Sequence, residues 1–497
     1  MTAVVPDQSS THSERSPSDA ANWWRAYLFI VTLVGAIFRI TQYLWRHSIW
    51  HDEASLLLNI ARKNGHDLLG PLQYNQAAPP LFLLALRGLY VTVGGSEYAM
   101  RSVSLLSGLL TLVLFAILAW RLVPRPQAVV AATLFAFSDK LIWHSVEVKQ
   151  YSGDVLVAVA LLCAALIGLA TDSPARRFLR VAAIASVGLW FSHPTVFTFA
   201  AISLAFFPAM TKRRFGIVVW ICANIVVGCS LFLLYVSCIR FQQGQGLVNS
   251  WRDLFVPWAK PLAIPWWFVR AIVGLCDYPI QGLGGGLLLL LSIFGARQLW
   301  ITGKRFELFV LLGPFVFLLL AAAASQFPFG GSRATVFTAP MILLLSAHGC
   351  VFLQTHEWRL LRPMAGCAIA ALAAWALIPD LYHLVVPRTK ENIRPVAEYV
   401  MHSAAASDGI YVIGKDTQHE FMWYWRNQSR PALYREDSPD LTPWSRFWIV
   451  GGYMPQPGIS VIKKDLAAAS ENCTELDRYQ GNGGAAFLME RNATSQK

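Results

Sequence analysis

Apolar residues run along this chain in long blocks rather than in alternation. The first block, residues 23–43, is about 20 residues long, enough to cross a hydrocarbon core of about 30 Å at 1.5 Å per residue. Blocks of the same character follow at 102–122, 127–143, 154–171, 179–192, 194–210, 215–239, 282–300, 307–324, 334–353 and 363–385, eleven in all. The fifth and sixth are short and parted only by Ser192-His193-Pro194. The block at 81–94 holds about 14 apolar residues with Arg87 inside, too few to span, and reads as an interfacial or re-entrant helix. Residues 1–21 are rich in Ser, Asp and Gln without an apolar core, the pattern of a disordered cytoplasmic tail and not of a cleavable signal.

Beyond residue 385 the pattern shortens. Residues 393–402 and 420–426 read as helices, 409–414 as a buried strand, 446–451 and 485–489 as further strands. The expected organisation is a tail over 1–21, an all-α polytopic membrane domain over 22–385 with about eleven transmembrane helices, and a small extracytoplasmic α/β domain over 386–497 in which no residue set suggests chemistry.

Composition fits a membrane protein. Only 14% of the 497 residues are charged, against about 25% in soluble domains, while 55% are apolar. The net charge of +12 lies wholly before residue 386, where 28 basic residues face 16 acidic ones; the remainder holds 13 of each. The basic residues gather in alternate loops, among them Arg121 and Arg125, Arg176, Arg177 and Arg180, Lys212, Arg213 and Arg214, and Lys304 and Arg305. Short cytoplasmic loops collect Lys and Arg, so this pattern places the N-terminus inside; an added span at 81–94 would reverse every later loop. The odd span count puts the C-terminal domain outside, in the periplasm of a Gram-negative cell. The excess charge thus records topology and gives no support to nucleic-acid binding. Eight cysteines, almost all in apolar runs and without CxxC spacing, indicate neither a disulfide framework nor a zinc site.

Against so few charges, those on the outer side stand out. His51-Asp52-Glu53 follows the first span and precedes a short helix over 54–63, expected to lie on the membrane, marked by Leu57, Ile60 and Ala61 and ended by Asn64-Gly65. Two readings of Asp52 stand together: an N-cap worth about 1 kcal/mol, and a base that accepts a proton from an acceptor hydroxyl. Glu147, Lys149, Tyr151 and Asp154 crowd the second outer loop; facing lipid they would be costly, so they line a polar cavity, form a solvated rim or face one another. Arg333 precedes a helix start and offers a guanidinium to a phosphate, or snorkels at the interface. His193 beside Pro194 reads as a helix-end histidine, and Asp277-Tyr278 as a further polar pair at a span's mouth. A divalent cation shared by Asp52 and Glu147 is one option for a cofactor.

Taken in order, these pieces resemble the polytopic GT-C glycosyltransferases that use polyprenyl-phosphate sugars, the superfamily of protein O-mannosyltransferases and lipid A aminoarabinose transferases. The branch they look most like is the lipopolysaccharide galacturonosyltransferase type of rhizobia. The resemblance runs through Trp50-His51-Asp52-Glu53-Ala54, Ala78-Pro79-Pro80-Leu81, Gly95-Ser96-Glu97 with Arg101, Glu147-Val148-Lys149-Gln150-Tyr151, Ser192-His193-Pro194, Phe327-Pro328-Phe329-Gly330-Gly331-Ser332-Arg333 and Ile393-Arg394-Pro395-Val396, most of residues 23–420. It implies transfer of a sugar from a lipid phosphate to a glycan, lipid or protein hydroxyl at the outer face of a bacterial inner membrane, with or without a metal. Asp52, Glu53 and Glu147 would be the acidic catalytic residues. Lys149, Tyr151 and Arg333 would bind the donor phosphate, and His51, Arg101 and His193 would serve the acceptor or act as secondary groups. Lys149 stands where many relatives carry Arg, which replaces a bidentate fork with a point charge. The competing classes are a flippase of lipid-linked sugars, for which internal repeats and midplane polar groups are missing, and a surface-polysaccharide polymerase or ligase.

Overall fold

A computed structural model describes residues 17–168, 172–282, 284–355, 361–388, 390–429, 432–434, 444–452 and 473–492. Most of the expected tail, 1–16, lies outside this set, yet α1 (Pro17–Leu44) already begins within it, at a proline whose fixed φ suits a first helical turn. Next come α2 (His51–Arg62), α3 (Pro80–Thr92), α4 (Glu97–Leu122), α5 (Arg125–Ala136), α6 (Asp139–Ser145), α7 (Tyr151–Leu166), α8 (Pro174–Phe191) and α9 (Thr195–Thr211). Six helices among the described residues are long and apolar enough to cross a bilayer: Asn22–Leu44, Glu97–Leu122, Gly216–Gln242, Gly284–Ile301, Arg305–Ala323 and Arg333–Thr355. Shorter apolar helices, α3, α7, α9 and Ile369–Val385, pack among them.

Where the helices depart from the apolar blocks, a polar residue is the cause. The block at 127–143 divides into α5 and α6 because Ser138 caps α6, its Oγ accepting the Leu141 N–H at 3.3 Å and donating to the Pro279 carbonyl. The carbonyls left at the end of α5 are taken by Arg39 from inside α1, which donates to Ala136 O at 2.9 Å and Phe135 O at 3.4 Å. Similarly, α3 spans only 13 residues, about 20 Å, and its Arg87 donates to Ile60 O and Ala61 O at the end of α2. Without water a backbone carbonyl must find a partner in the protein, and the buried Arg39 and the half-buried Arg87 supply it. The Gly284–Ile301 and Ala339–Thr355 helices approach so closely that a Cβ on Gly295 would meet Leu345 O at 1.8 Å, a small-residue contact suited to helices in lipid.

The C-terminal part carries a five-stranded sheet in the order β2-β1-β3-β5-β4, from β1 (Gly409–Ile413), β2 (Leu433–Tyr434), β3 (Arg446–Gly452), β4 (Cys473–Gly481) and β5 (Gly484–Arg491). Strand β1 lies parallel to β2 and β3, and β5 antiparallel to β3 and β4. All five β1 residues are buried, as a continuous apolar strand between parallel neighbours must be. β4, which the sequence reading missed, is an edge: its mixed Glu475, Asp477 and Arg478 pattern gives no apolar signal and protects the edge from further pairing.

Helices Arg394–Ser403 and Lys415–Trp425 cover this sheet, and the second packs on α2. Tyr424 Oη accepts the Ile49 N–H at 2.8 Å and donates to Glu97 Oε1 at 3.0 Å, while Arg46 and Arg394 also bind Glu97. Nine of the twelve α2 residues are buried as a result. The sequence pictured α2 lying on the membrane; instead it is sandwiched within protein, because its Leu57–Ile60 side is met by the partly buried Tyr424 and the fully buried Trp423.

Candidate functional site

The backbone enters α2 from Trp50, which occupies the N-cap position, so Asp52 is the second residue of the helix and not its cap. The capping role falls to Glu53, whose Oε2 accepts the Trp50 N–H at 3.3 Å. Asp52 is thereby free to point outward from the first turn. Its Oδ1 accepts from Lys149 Nζ at 3.0 Å and from Gln76 Nε2 at 3.2 Å, and its Oδ2 pairs with Arg333. Lys149 also donates to Gln76 Oε1 at 2.6 Å. Gln76 reaches this position because Tyr74 and Asn75 adopt φ of 63° and 52°, a left-handed pair that turns the loop sharply. Burial alone would raise the Asp52 pKa, but Lys149 and Arg333 outweigh it and hold the carboxyl well below the usual range. Lys149 moves down under its own burial, with Asp52 opposing.

Glu53 points the other way and is completely buried. Arg101 grips it in a bidentate fork, Nε to Oε1 at 3.0 Å and Nη2 to Oε2 at 2.6 Å, and also donates to His47 O and Ser48 O. Glu53 Oε1 accepts the Val148 N–H at 2.7 Å. One carboxylate thus joins α2, α4 and the loop between α6 and α7, and sets Asp52 and Lys149, each one residue away in sequence, opposite each other.

All four polar residues of the second loop, Glu147, Lys149, Tyr151 and Asp154, are buried, which removes the solvated-rim reading. Glu147 is bound to His144 Nδ1 at 2.9 Å, and His144 Nε2 to Tyr278 Oη at 2.9 Å. Burial pushes the Glu147 pKa up, but the hydrogen bond and charge of His144 bring it down to about 2. Arg333 opens the Arg333–Thr338 turn and is 42% exposed at its side chain; its guanidinium carbon lies 5.9 Å from the Trp50 ring centroid and 5.7 Å from that of Tyr151.

The C-terminal part, expected to carry no chemistry, delivers three groups here. Lys390 Nζ sits 3.4 Å from the Trp50 centroid and 3.7 Å from Glu147 Oε1. Glu391 accepts the His51 N–H at 2.8 Å and faces His51 Nδ1 at 3.1 Å, with Glu420 beside it. The donor atoms of His51, Glu391 and Glu420 lie within 4.8 Å of one another, a set able to hold a divalent cation. Asp52 and Glu147, the pair expected to share an ion, belong to no such set among the described residues, because the Asp52 oxygens are occupied by two cations that would repel a third. His193 stays at the turn between α8 and α9, its pKa pushed down to about 4 by burial, and among the described residues no hydrogen bond or ion pair joins its side chain to this cluster.

No protein-family model and no curated protein matches the sequence. Solved structures do match in fold. The chain is similar to ArnT from Cupriavidus metallidurans, at TM-score 0.53 and 12% identity over 94% of this chain and 98% of that one. The same protein bound to undecaprenyl phosphate matches at TM-score 0.51 and 13% identity, covering 95% and 98%. The Archaeoglobus fulgidus oligosaccharyltransferase in complex with Zn and sulfate matches at TM-score 0.52 and 12% identity, covering 92% of this chain and 72% of that one. The likeness is one of fold: the chain shares the architecture of ArnT and of the archaeal oligosaccharyltransferase. It is a multi-pass membrane protein with a small C-terminal sheet.

Proposed function

We propose that the chain is a membrane glycosyltransferase that moves a sugar from a polyprenyl-phosphate donor to an acceptor hydroxyl at the outer face of a cytoplasmic membrane. The observation that carries this reading is the meeting of Asp52 with Lys149 and Arg333, a carboxylate and two cations drawn from three separate segments of the chain. A phosphate leaving group needs cations and an attacking hydroxyl needs a base. The likeness to ArnT bound to undecaprenyl phosphate supports a donor of that class.

In the donor-free state Lys149 and Arg333 neutralise Asp52 and weaken it as a base. The donor phosphate competes for those cations, and as it takes them Asp52 regains basicity and accepts the proton of the acceptor hydroxyl. The hydroxyl oxygen bonds to the anomeric carbon while the bond from that carbon to the phosphate oxygen breaks. Polyprenyl phosphate departs with the electron pair, its charge held by Lys149 and Arg333. Glu53 and Arg101 are positioning residues in this scheme, and Tyr151 with Trp50 forms the aromatic wall beside Arg333. Glu147 acts through His144 and Lys390. Given donor and acceptor in lipid nanodiscs, the protein releases polyprenyl phosphate in step with labelled acceptor; recovery of intact donor, as a flippase would give, overturns the reading.

The helix directions support this sidedness. Site residues follow the C-terminal end of α1 in the first turn of α2 and sit at the N-terminal ends of α4, α7 and the Arg333–Thr338 turn, whereas Arg121, Arg176, Lys212 and Arg305 sit at opposite helix ends. The positive-inside rule puts the basic ends in the cytoplasm and the site outside, with the described residues of the C-terminal part on the same side through Lys390, Glu391 and Tyr424.

Arg333→Ala is expected to raise the donor KM about tenfold or more, the size of a lost charge-assisted hydrogen bond, with Arg333→Lys restoring part of it. An unchanged donor KM would return Arg333 to interfacial anchoring. For the His51, Glu391 and Glu420 set, one oxygen and nitrogen ligand group of the kind zinc accepts, we propose a divalent cation, in keeping with the Zn of the oligosaccharyltransferase neighbour. After exposure to Zn²⁺ and desalting, the wild type should keep about one equivalent and His51→Ala none, by elemental analysis.

A further inference from the structure

Beside the transfer residues lies a cavity of about 300 Å³ between the segment that leaves the last membrane helix and the turn joining β4 to β5, lined by Lys390, Glu391, Asn392, Asn482 and Gly483 with Val386 and Pro387. That volume is at the lower end of small-molecule sites. Two features hold its shape. Arg388 pins the segment, binding Asp139 Oδ1 at 2.5 Å and Asp380 Oδ1 at 2.6 Å. Opposite it, Gly483 presses on the segment so closely that a Cβ there would lie 2.3 Å from Asn392 O. The lining combines two amides, a carboxylate and an ammonium with a small apolar patch, groups that meet hydroxyls on one side and the C–H face of a ring on the other.

The cavity is joined to the site through consecutive residues. Glu391 holds the backbone N–H of His51, the neighbour of Asp52, and Lys390 rests on the Trp50 indole. The Lys390 side chain is 42% exposed, and at 3.7 Å from Glu147 Oε1 its ammonium is beyond hydrogen-bond distance from the carboxylate it pairs with. No hydrogen bond of its Nζ to protein exists among the described residues. Lys149 and Arg333 are engaged by Asp52, so Lys390 is the cation of this cluster with donor capacity to offer a second anion.

Resting on the transferase reading above, we infer that this cavity is the acceptor subsite, and that it takes a saccharide bearing an anionic group, carboxylate or phosphate, which Lys390 pairs while the acceptor hydroxyl turns toward Asp52. Asn392 and Asn482 take the neighbouring hydroxyls.

The test uses full-length protein in nanodiscs with four acceptor saccharides ending in glucuronate, its methyl ester, glucose 6-phosphate or glucose. The wild type is expected to show an acceptor KM about tenfold or more lower for at least one charged form than for its neutral partner, the scale of a hydrogen bond to a charged group. Comparing the two charged forms tells carboxylate from phosphate. Lys390→Gln should erase that preference, Lys390→Arg should keep it, and Asn482→Ala should raise the KM of charged and neutral forms alike with donor KM unchanged. Binding of the same saccharides to donor-free protein, by calorimetry, reads the subsite apart from turnover. Equal affinity for charged and neutral forms, or a preference that survives in Lys390→Gln, overturns the inference. Loss of all donor consumption with charge-selective binding intact would instead overturn the transferase reading.

Discussion

Asp52→Asn should lower sugar transfer by a factor on the order of 10³, within the range spanned by general-base catalysis, while the protein stays folded. The amide is nearly isosteric and still accepts from one of its cations. Lys149 keeps Gln76 Oε1, and the Arg333 head is part-exposed to water, so neither charge is stranded. The same substitution should tighten binding of polyprenyl phosphate itself, since Lys149 and Arg333 no longer have a competing carboxylate. A merely structural Asp52 would not produce loss of turnover together with gain of product affinity. If turnover is unchanged, Asp52 leaves the mechanism.

The pH profile offers an independent reading. The Asp52 pKa is depressed in the donor-free protein, so its contribution to stability is complete above its unfolded value of about 3.9 and is lost only as pH falls through the lower folded value. Stability between pH 5 and 8 should not respond to it. Once donor phosphate draws the cations away, the carboxylate rises toward its ordinary range. The acid limb of kcat, which reports the donor-bound enzyme, should therefore lie at higher pH than that of kcat/KM, which reports the free enzyme. Coincident limbs would mean that the cations stay on Asp52.

Much of this site could be read along the chain, for a physical reason. In a sequence so poor in charge, a charged group next to a span has few explanations, which makes Asp52, Glu147, Lys149 and Arg333 candidates, while their separate roles come only from the family resemblance. What the sequence could not separate was adjacent residues with the same chemistry. Asp52 and Glu53 differ by about 100° around a helix, so one faces the cations and the other faces Arg101. Nor could it reveal Gln76, whose placement depends on two left-handed residues that no residue type in Tyr74-Asn75 demands. Lys390, Glu391 and Glu420 were missed because they sit in a segment of ordinary charge density, and only the docking of Tyr424 and Trp423 against the first loop brings them to His51. The apolar blocks gave the helices well, but their number as spans was not fixed by length, since Arg39 and Arg87 let helices end inside protein.

Arg101→Met is expected to cost about 3–5 kcal/mol, the loss seen when one partner of a buried ion pair is removed. That is a large share of a total that is typically about 5–15 kcal/mol. Glu53 and Arg101 are exposed by no more than 1% at their side chains. Without Arg101, the Glu53 carboxylate keeps only the Val148 and Trp50 N–H groups, and the carbonyls of His47 and Ser48 lose their donors as well. Glu53→Gln should be milder, since its carbonyl still accepts from Val148 or Arg101. The double change Glu53→Leu with Arg101→Met removes both charges together, and apolar replacement of a whole buried pair is often near neutral. Its stability should exceed that of Arg101→Met alone, giving a favourable coupling in a double-mutant cycle of heat-inactivation half-lives in detergent. Transfer should nonetheless remain poor in the double variant, because the joint that sets Asp52 against Lys149 is gone. Recovered stability without recovered activity is the signature of a positioning pair; recovery of both would show that Asp52 and Lys149 find each other unaided, and an Arg101→Met protein as durable as wild type would remove the pair from the architecture of the site.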